Sequence, residues 1–135
     1  MMLGRNDLAS AARFIGKEYI LDAALARLPH TLLVLLDGIC MGGGAGLAFG
    51  ARYKVATERI SFAMPETAIG FVPDVGATNY LPRFAGSIGM YLALTGARMS
   101  VADCIYTGFA THHVPSSDIA ALQVGLEGVH LARIC

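Results

Sequence analysis

Two carboxylates stand in an otherwise apolar segment, and they are the residues of this chain best suited to chemistry. Glu66 and Asp74 lie within residues 62–76, and each follows a proline. A carboxylate among apolar neighbours is costly unless it is paired or used. Just upstream, residues 41–46 contain four glycines. Bare backbone amides followed by carboxylates are the components of an acyl-transfer site, in which N–H groups stabilise an oxyanion and the acids carry out the chemistry.

The glycine run favours close approach of the main chain to a ligand, because glycine lacks a Cβ and adopts positive φ. A glycine run that opens a helix also leaves unpaired N–H groups at its start. Two nucleotide-binding motifs are excluded. A P-loop requires Gly-Lys-Ser/Thr after its loop, and the dinucleotide-binding pattern requires a glycine where this chain has Phe49. The alternative is that these glycines only allow a helix to pack on a sheet.

Each acid also has a purely structural interpretation. Glu66 directly follows a predicted strand, where a carboxylate can be an active-site nucleophile or base, or a helix-capping or surface residue. Asp74 stands where a helix N-cap would. A fully extended chain would separate the two acids by roughly 26 Å, but Gly70 and Pro73 permit the chain to fold back. Glu18 lies in the middle of a predicted helix, where a solvated face is the default.

The composition describes an apolar chain with little charge. Its 135 residues are 55% hydrophobic, and ten basic residues balance ten acidic ones. The basic residues are scattered, so we expect no nucleic-acid partner, because phosphate neutralisation requires clustered Lys and Arg. We also expect no membrane partner, since no apolar run approaches about 20 residues. Charge-poor faces of this kind fit a chain covered by further segments or by other subunits, and a homo-oligomer is one such arrangement.

Cysteine and histidine spacings predict neither a metal site nor a disulfide framework. The cysteines, Cys40, Cys104 and Cys135, are odd in number and share no metal-ligand spacing, and the four histidines are not arranged like zinc ligands. A reducing compartment is the simpler interpretation. The first residues lack the apolar region of a secretory signal. Residues 1–17 carry three basic residues and one acid, a weak match to a mitochondrial presequence, although the same stretch continues into a well-patterned helix.

Segments with strand and helix patterns alternate along the chain, which predicts an α/β fold. A helix is predicted over 8–28, and the apolar run 31–36 is predicted to be a strand buried on both faces. The two acids are predicted to lie in a loop over 65–73 and at the N-cap of a helix over about 75–84. The other predicted elements are strands over 53–56 and 60–64, an extended segment over 109–114, and helices over 44–51 and 87–95, from Ser100 to Gly108 and from Ser116 or Ser117 onward.

The motifs that contain these residues resemble the crotonase (enoyl-CoA hydratase/isomerase) superfamily, and within it the 3-hydroxyisobutyryl-CoA hydrolases. The similarity runs from about Arg13 to about Leu122. The block 62–76 is highly specific, whereas the glycine block identifies only the superfamily. The other motifs that carry the resemblance are Asp-Gly-Ile-Cys-Met-Gly-Gly-Gly-Ala-Gly-Leu (37–47), Val-Ala-Thr-Glu (55–58), Leu-Pro-Arg (81–83), Ala-Leu-Thr-Gly-Ala-Arg (93–98) and Ala-Thr-His (110–112).

This resemblance implies a role for each candidate residue. The amide of Gly43 would be one of two oxyanion-hole donors to the thioester carbonyl. Glu66 would attack or activate at the thioester carbon, and Asp74 would orient the substrate or assist water. Glu18 would bind substrate. The implied reaction converts 3-hydroxyisobutyryl-CoA to 3-hydroxyisobutyrate and CoA, a step in valine breakdown. The implied partner is an acyl-CoA substrate, and no separate cofactor is needed because CoA is part of that substrate.

Related chemistries within the superfamily remain open at this point. Its hydratases carry a glutamate where this chain has Gly46. Its dienoyl-CoA isomerases share the Asp-Val-Gly that begins at Asp74, but they have an acid at the Gly46 position. Isomerase or hydratase activity is therefore the alternative. Ala77 and Thr78 replace the second glycine and its follower that the hydrolases usually have, which predicts a tighter turn after Asp74.

The resemblance also implies a crotonase-like fold of spiral ββα units (the ClpP/crotonase fold) that is incomplete at both ends. Residues 1–135 would form one partial catalytic domain with no second domain. The superfamily's first strands, and a loop that supplies the other oxyanion donor, have no counterpart in this sequence. A catalytically inactive fragment that binds other subunits is therefore a further alternative. The expected location is the cytoplasm in a bacterium and the mitochondrial matrix in a eukaryote.

Overall fold

Two small parallel sheets organise residues 8–127, which are the residues described by the computed structural model. One sheet has the order β1 (Leu33–Leu36), β3 (Tyr53–Ala56), β5 (His112–His113), and the other pairs β2 (Ile39–Met41) with β4 (Ser61–Ala63). The helices are α1 (Leu8–Ala26), α2 (Gly43–Phe49), α3 (Ala77–Tyr80), α4 (Ile88–Thr95), α5 (Val101–Tyr106) and α6 (Ile119–Glu127), with 3₁₀ turns at Glu66–Ile69, Leu81–Arg83 and Ser116–Asp118.

The pairing of β2 with β4 brings the glycine run and Glu66 to the same edge of a sheet. The two strands are parallel and in register from Ile39 opposite Ser61 to Met41 opposite Ala63. Their carboxyl ends therefore meet, and the chain continues from one into the glycines and from the other towards Glu66. Two segments about twenty residues apart in sequence become neighbours for this reason.

Aromatic side chains anchor the two elements that carry these segments. Phe49 of α2, Phe62 of β4 and Phe109 are all buried. The ring centroids of Phe62 and Phe109 are 4.2 Å apart, and those of Phe49 and Phe109 are 5.7 Å apart in an edge-to-face arrangement. Such pairs stabilise a fold by about 0.5–1.5 kcal/mol each beyond the burial of their area. The cluster fixes α2 relative to β4, and with them the start of α2 relative to Glu66.

Most of the predicted elements are confirmed with small shifts of their ends. The first helix spans Leu8–Ala26, and β3 and β4 fall within the predicted strands. The helix that begins at Ser100 has the predicted capping box, in which the Ser100 hydroxyl accepts from the backbone of Asp103 and the Asp103 carboxylate accepts from the amide of Ser100 at 2.9 Å. Cys135 lies outside the described residues.

The prediction that Asp74 caps a helix over about 75–84 is wrong. The helix is α3, it spans only Ala77–Tyr80, and its N-cap is Gly76, which has φ 88° and contributes no side-chain bond. A 3₁₀ turn over Leu81–Arg83, which contains a proline, replaces the rest of the predicted helix. The carbonyl of Asp74 accepts a bond from Ala77, but its carboxylate points elsewhere.

The expected burial of the apolar run 31–36 is also wrong in part. Within β1 only Leu36 is buried, and the other three residues are half-buried. The strand lies at the edge of its sheet in the described part of the chain, and α1 contributes no buried residue of its own. The extended segment predicted over 109–114 forms a strand only at His112–His113, where both side chains are exposed.

Candidate active site

Gly42 and Gly43 each lie close to a carboxylate. Gly42 has φ 52°, which favours glycine, and a Cβ added to it would stand 3.2 Å from Oε1 of Glu66. A Cβ added to Gly43 would collide with Oε1 of Glu18. Any side chain at either position would displace an acid. The glycines therefore have a role beyond helix packing, because they let Glu18 and Glu66 approach the main chain closely.

Glu66 is buried and has an unsatisfied carboxylate oxygen. The residue is 7% exposed, and its Oε2 is buried without a hydrogen-bond partner among the described residues. Burial raises the pKa of this carboxyl above its ordinary value, the charge of Asp74 adds to the rise, and a hydrogen bond from backbone opposes it. The surface interpretation of Glu66 is wrong. A buried acid with one unsatisfied oxygen beside a bare peptide is a typical candidate for a nucleophile or general base.

Asp74 is held by a residue from the first helix. The hydroxyl of Tyr19 donates a 2.6 Å hydrogen bond to Oδ2 of Asp74, and this bond is the main cause that raises the pKa of Tyr19 to about 12. The chain between the two acids folds back through Gly70, which has φ 72°, and through a bond from Phe71 to the carbonyl of Glu66. The predicted reversal between Glu66 and Asp74 is confirmed.

Glu18 does not lie on a solvated helix face. It is half-buried, and burial raises the pKa of its carboxyl, with smaller contributions from the charges of Asp22 and Asp74. Asp74 also contributes to the raised pKa of Glu66. The structure therefore brings together the four residues that the sequence singled out: Glu18, Gly43, Glu66 and Asp74.

Val75, the residue after Asp74, has a strained backbone. Its φ is 44°, a value that β-branched residues rarely adopt, and it is 5% exposed. Its Cβ lies 2.5 Å from the place that a Cβ on Gly46 would take. Strain of this kind costs about 1–3 kcal/mol and persists where packing enforces it. Gly46 thus provides the space that Val75 fills, and an acid at position 46 would not fit this arrangement.

Helix α1 approaches α2 closely along a row of small residues. Three residues of α1 are spaced four apart and so share one helix face. Each lies so close to a glycine that a Cβ on that glycine would contact it: Glu18 faces Gly43, Asp22 faces Gly46 and Ala26 faces Gly50. The glycine block therefore has a second function besides the backbone amides at the start of α2. It lets α1 place acidic side chains next to α2.

A cavity of about 480 Å³ opens beside this contact. Its wall includes Tyr19, Asp22, Gly46, Asp74 and Val75. The volume is in the range of small-molecule sites, and the wall combines apolar surface with a few polar groups, as such sites usually do. Over residues 8–127, no group of three His, Cys, Asp or Glu side chains is placed to hold a metal ion, and no helix has the length and apolarity needed to cross a membrane.

The sequence matches the family described as enoyl-CoA hydratase/isomerase over residues 2–133. The chain belongs to this family. A crystal structure of an enoyl-CoA hydratase from Rhodobacter sphaeroides superimposes with a TM-score of 0.87 at 44% identity, covering 94% of this chain and 38% of the hydratase. The crotonase-like fold that the motifs predicted is thereby confirmed.

Relatives within the crotonase family differ in their names. A Xenopus laevis protein named 3-hydroxyisobutyryl-CoA hydrolase, mitochondrial is 46% identical over 116 residues, which are 86% of this chain and 30% of that protein. A Neurospora crassa protein named small ribosomal subunit protein mS47 is 44% identical over 120 residues, which are 89% of this chain and 24% of that protein. The chain spans less than a third of the length of the curated relatives it matches.

The sequence patterns did not identify two residues that line this site, Asp22 and Tyr19. Asp22 follows Glu18 by four positions, and this spacing places both on one face of α1. That signal was available, but it depended on first treating Glu18 as a site residue. Tyr19 carries no comparable pattern, because its contact with Asp74 joins residues that are 55 positions apart.

Proposed function

We propose that this chain is a thioester hydrolase of the crotonase family that converts 3-hydroxyisobutyryl-CoA to 3-hydroxyisobutyrate and CoA. One observation carries the proposal: the carboxylate of Glu66 is buried, unsatisfied at Oε2 and adjacent to the Gly42–Gly43 peptide. The names of several relatives at about 45% identity support the same reaction. The chain covers under a third of those relatives, so the activity of the whole protein is part of the proposal.

In the proposed reaction the thioester carbonyl lies over the amide of Gly43. Gly43 is the first residue of α2, and the amides of a helix's first turn have no acceptor within the helix. This N–H donates to the carbonyl oxygen and stabilises the oxyanion that develops on it. Loss of one such donor typically lowers kcat by about 10²–10³.

Glu66 can act in thioester cleavage either as a nucleophile or as a general base. As a nucleophile, its carboxylate forms a bond to the acyl carbon, the carbon–sulfur bond breaks, and CoA leaves as a thiolate that takes up a proton. Water then hydrolyses the resulting anhydride. As a base, Glu66 takes a proton from water while the water oxygen attacks the same carbon. The carbon–sulfur bond then breaks, and Glu66 returns the proton to the departing thiolate. Both versions consume one water and release one free thiol.

Asp74 and Glu18 assist this step by positioning the reactants. The hydroxyl of Tyr19 orients the carboxylate of Asp74, which in turn positions the attacking water or the substrate. Glu18 lies against Gly43 and accepts a hydrogen bond from the bound substrate. Besides water, this scheme requires only an acyl-CoA. In a eukaryote we place the protein in the mitochondrial matrix, as the name of the Xenopus relative suggests, and in a bacterium in the cytoplasm, and we expect a homo-oligomer.

Free thiol release from 3-hydroxyisobutyryl-CoA tests the proposal. A thiol reagent follows hydrolysis, and ultraviolet absorbance of crotonyl-CoA or a dienoyl-CoA follows hydration or isomerisation in parallel. The proposal expects thiol release and little change with the unsaturated substrates, because Val75 occupies the space next to Gly46. Hydration without thiol release would favour the hydratase alternative and contradict the proposal.

A non-catalytic role in binding other subunits is the second candidate. The ribosomal name of the Neurospora relative favours it, and so do exposed apolar side chains on α1, where Leu8, Phe14 and Ile20 are 83%, 68% and 72% exposed. Co-purification with a full-length family member, without thiol release by the chain alone, would support this candidate. Failure to co-purify would count against it.

A further inference from the structure

The carboxylate of Asp22 is buried and has no hydrogen-bond partner within residues 8–127. Both Oδ1 and Oδ2 are inaccessible to solvent, and neither makes a hydrogen bond among the described residues. Leaving a buried polar group unpaired costs stability, and the cost is larger for a charged group. No step of the proposed hydrolysis uses Asp22. A residue that is costly to the fold and absent from the chemistry calls for a different explanation.

The position of Asp22 is defined by the contact between α1 and α2. Its Oδ1 stands 3.3 Å from the place of a Cβ on Gly46, one helical turn beyond the contact of Glu18 with Gly43. Asp22 also lines the cavity of about 480 Å³ that Asp74 and Tyr19 line. The unpaired carboxyl therefore belongs to the wall of a cavity that shares Asp74 with the candidate active site.

In the described part of the chain, the surroundings of Asp22 do not supply a counter-charge. Burial is the main cause that raises the pKa of its carboxyl, and the only charge that contributes is the like charge of Asp74. No cluster among residues 8–127 has the ligands for a metal ion. The missing partner is therefore best supplied by a neutral hydrogen-bonding group. The rest of the cavity wall includes small and branched apolar residues: Ala23, Ala26, Val72 and Val75.

We propose that Asp22 recognises a hydroxyl group on the acyl part of the substrate, and so selects hydroxyacyl thioesters over their unsubstituted analogues. This inference rests on the proposed function, because it places the acyl chain in the cavity between α1 and α2. A short branched acyl chain fits apolar walls, and a hydroxyl is the one polar group that such a chain carries. Its O–H donates to Asp22, and a carboxyl oxygen that the fold leaves unpaired becomes satisfied.

The expected effect is a change in preference between two substrates. A hydrogen bond to a charged or buried acceptor typically changes affinity about 10- to 100-fold. Sites built to bond a substrate hydroxyl also reject the analogue that lacks it. The pair that isolates the interaction is 3-hydroxyisobutyryl-CoA and isobutyryl-CoA, since they differ only in the hydroxyl.

The test measures this preference in the wild-type chain and in three variants. Asp22→Leu removes both acceptors at similar volume, Asp22→Asn keeps one acceptor, and Lys17→Leu is a matched control at an exposed position of α1. We expect the ratio of kcat/KM for the two substrates to fall about 10- to 100-fold in the Leu variant, to fall less in the Asn variant and to stay unchanged in the control. If the Leu variant does not fold, Asp22→Ala replaces it.

An equal loss on both substrates would overturn the inference, because it would mean that Asp22 contacts the CoA portion or only supports the fold.

Calorimetric binding of both thioesters, carried out in a Glu66→Gln background, separates this inference from the proposed function. If the wild-type chain releases no thiol but still binds the hydroxylated thioester more tightly through Asp22, the hydrolase proposal fails and the recognition of a hydroxyl stands. If thiol is released with the same preference in the Asp22 variants as in the wild type, the hydrolase proposal stands and the role of Asp22 is rejected. Equal binding of the two thioesters by the Glu66→Gln chain that keeps Asp22 rejects it as well.

Discussion

Tyr19 donates a 2.6 Å hydrogen bond to Oδ2 of Asp74, and this bond ties the first helix to a loop 55 residues further along the chain. Tyr19 is 42% exposed, so burial does not fix its position. The bond gives the carboxylate of Asp74 a defined direction although the cap expected for it does not form. It also brings the helix that carries Glu18 and Asp22 onto the loop that carries Asp74.

The ionisation of tyrosine provides a direct test of this bond. A phenol that donates to a carboxylate resists deprotonation, and the pKa of Tyr19 is raised to about 12 for this reason. In a titration of tyrosinate absorbance, we expect the last component, near pH 12, to disappear in Tyr19→Phe. In Asp74→Asn the same component should move towards the ordinary value of 10. Circular dichroism at each pH establishes that the chain is still folded.

Tyr91→Phe is the control for this titration, because Tyr91 is exposed on α4. The component near pH 12 should stay in place in this variant. A titration in which Asp74→Asn leaves every tyrosine unchanged would mean that the bond between Tyr19 and Asp74 does not form in solution.

Gly46 and Gly44 form a matched pair for testing how α2 supports the site. A Cβ at Gly46 would stand 2.5 Å from the Cβ of Val75, whereas a Cβ at Gly44 would meet nothing within 4 Å. We expect Gly46→Ala to lower the free energy of unfolding by about 1–3 kcal/mol, as overpacking does. Gly44→Ala should raise it by up to about 1 kcal/mol, because alanine favours a helix. Urea unfolding curves of the two variants give the comparison, and equal effects would contradict the contact between Gly46 and Val75.

Glu66 should make the stability of the chain depend on pH in a particular direction. The pKa of its carboxyl is raised in the folded state above the ordinary value of 4.5. Its contribution to stability is therefore fully present below about pH 4.5 and is lost as pH rises through the folded pKa. We expect Glu66→Gln to have a higher Tm than the wild type at pH 7.5, and we expect this difference to shrink at pH 4. A difference that grows towards acid pH would mean that the carboxylate is paired in the folded chain.

The sequence indicated which residues lie together better than it predicted their geometry. The acids within residues 62–76 were visible because charge is rare among apolar neighbours, and the pairing of β2 with β4 then brought Glu66 to the glycines. The cap assigned to Asp74 was wrong because local preference for Asp before a helix was outweighed by a long-range bond from Tyr19. No local pattern contains a contact of that kind.

The burial of individual segments was harder to predict than their secondary structure. The run 31–36 has the apolar pattern of a strand covered on both faces, yet three of the four residues of β1 are only half-buried. Sequence pattern reports what a face is suited to contact, whereas burial depends on which other segments are present to cover it. Asp22 illustrates the same limit, because its unpaired carboxylate became evident only once α1 lay on α2.

The central claim is that the carboxylate of Glu66 performs chemistry on a bound thioester, and the most direct measurement compares turnover with binding in Glu66→Gln. Thiol release from 3-hydroxyisobutyryl-CoA gives kcat, calorimetry gives Kd, and Glu58→Gln is the control, since Glu58 is exposed and bonds Ser116. We predict that kcat falls about 10²–10⁴-fold in Glu66→Gln, that Kd changes little, and that the control behaves as the wild type. Turnover retained in Glu66→Gln would contradict the claim.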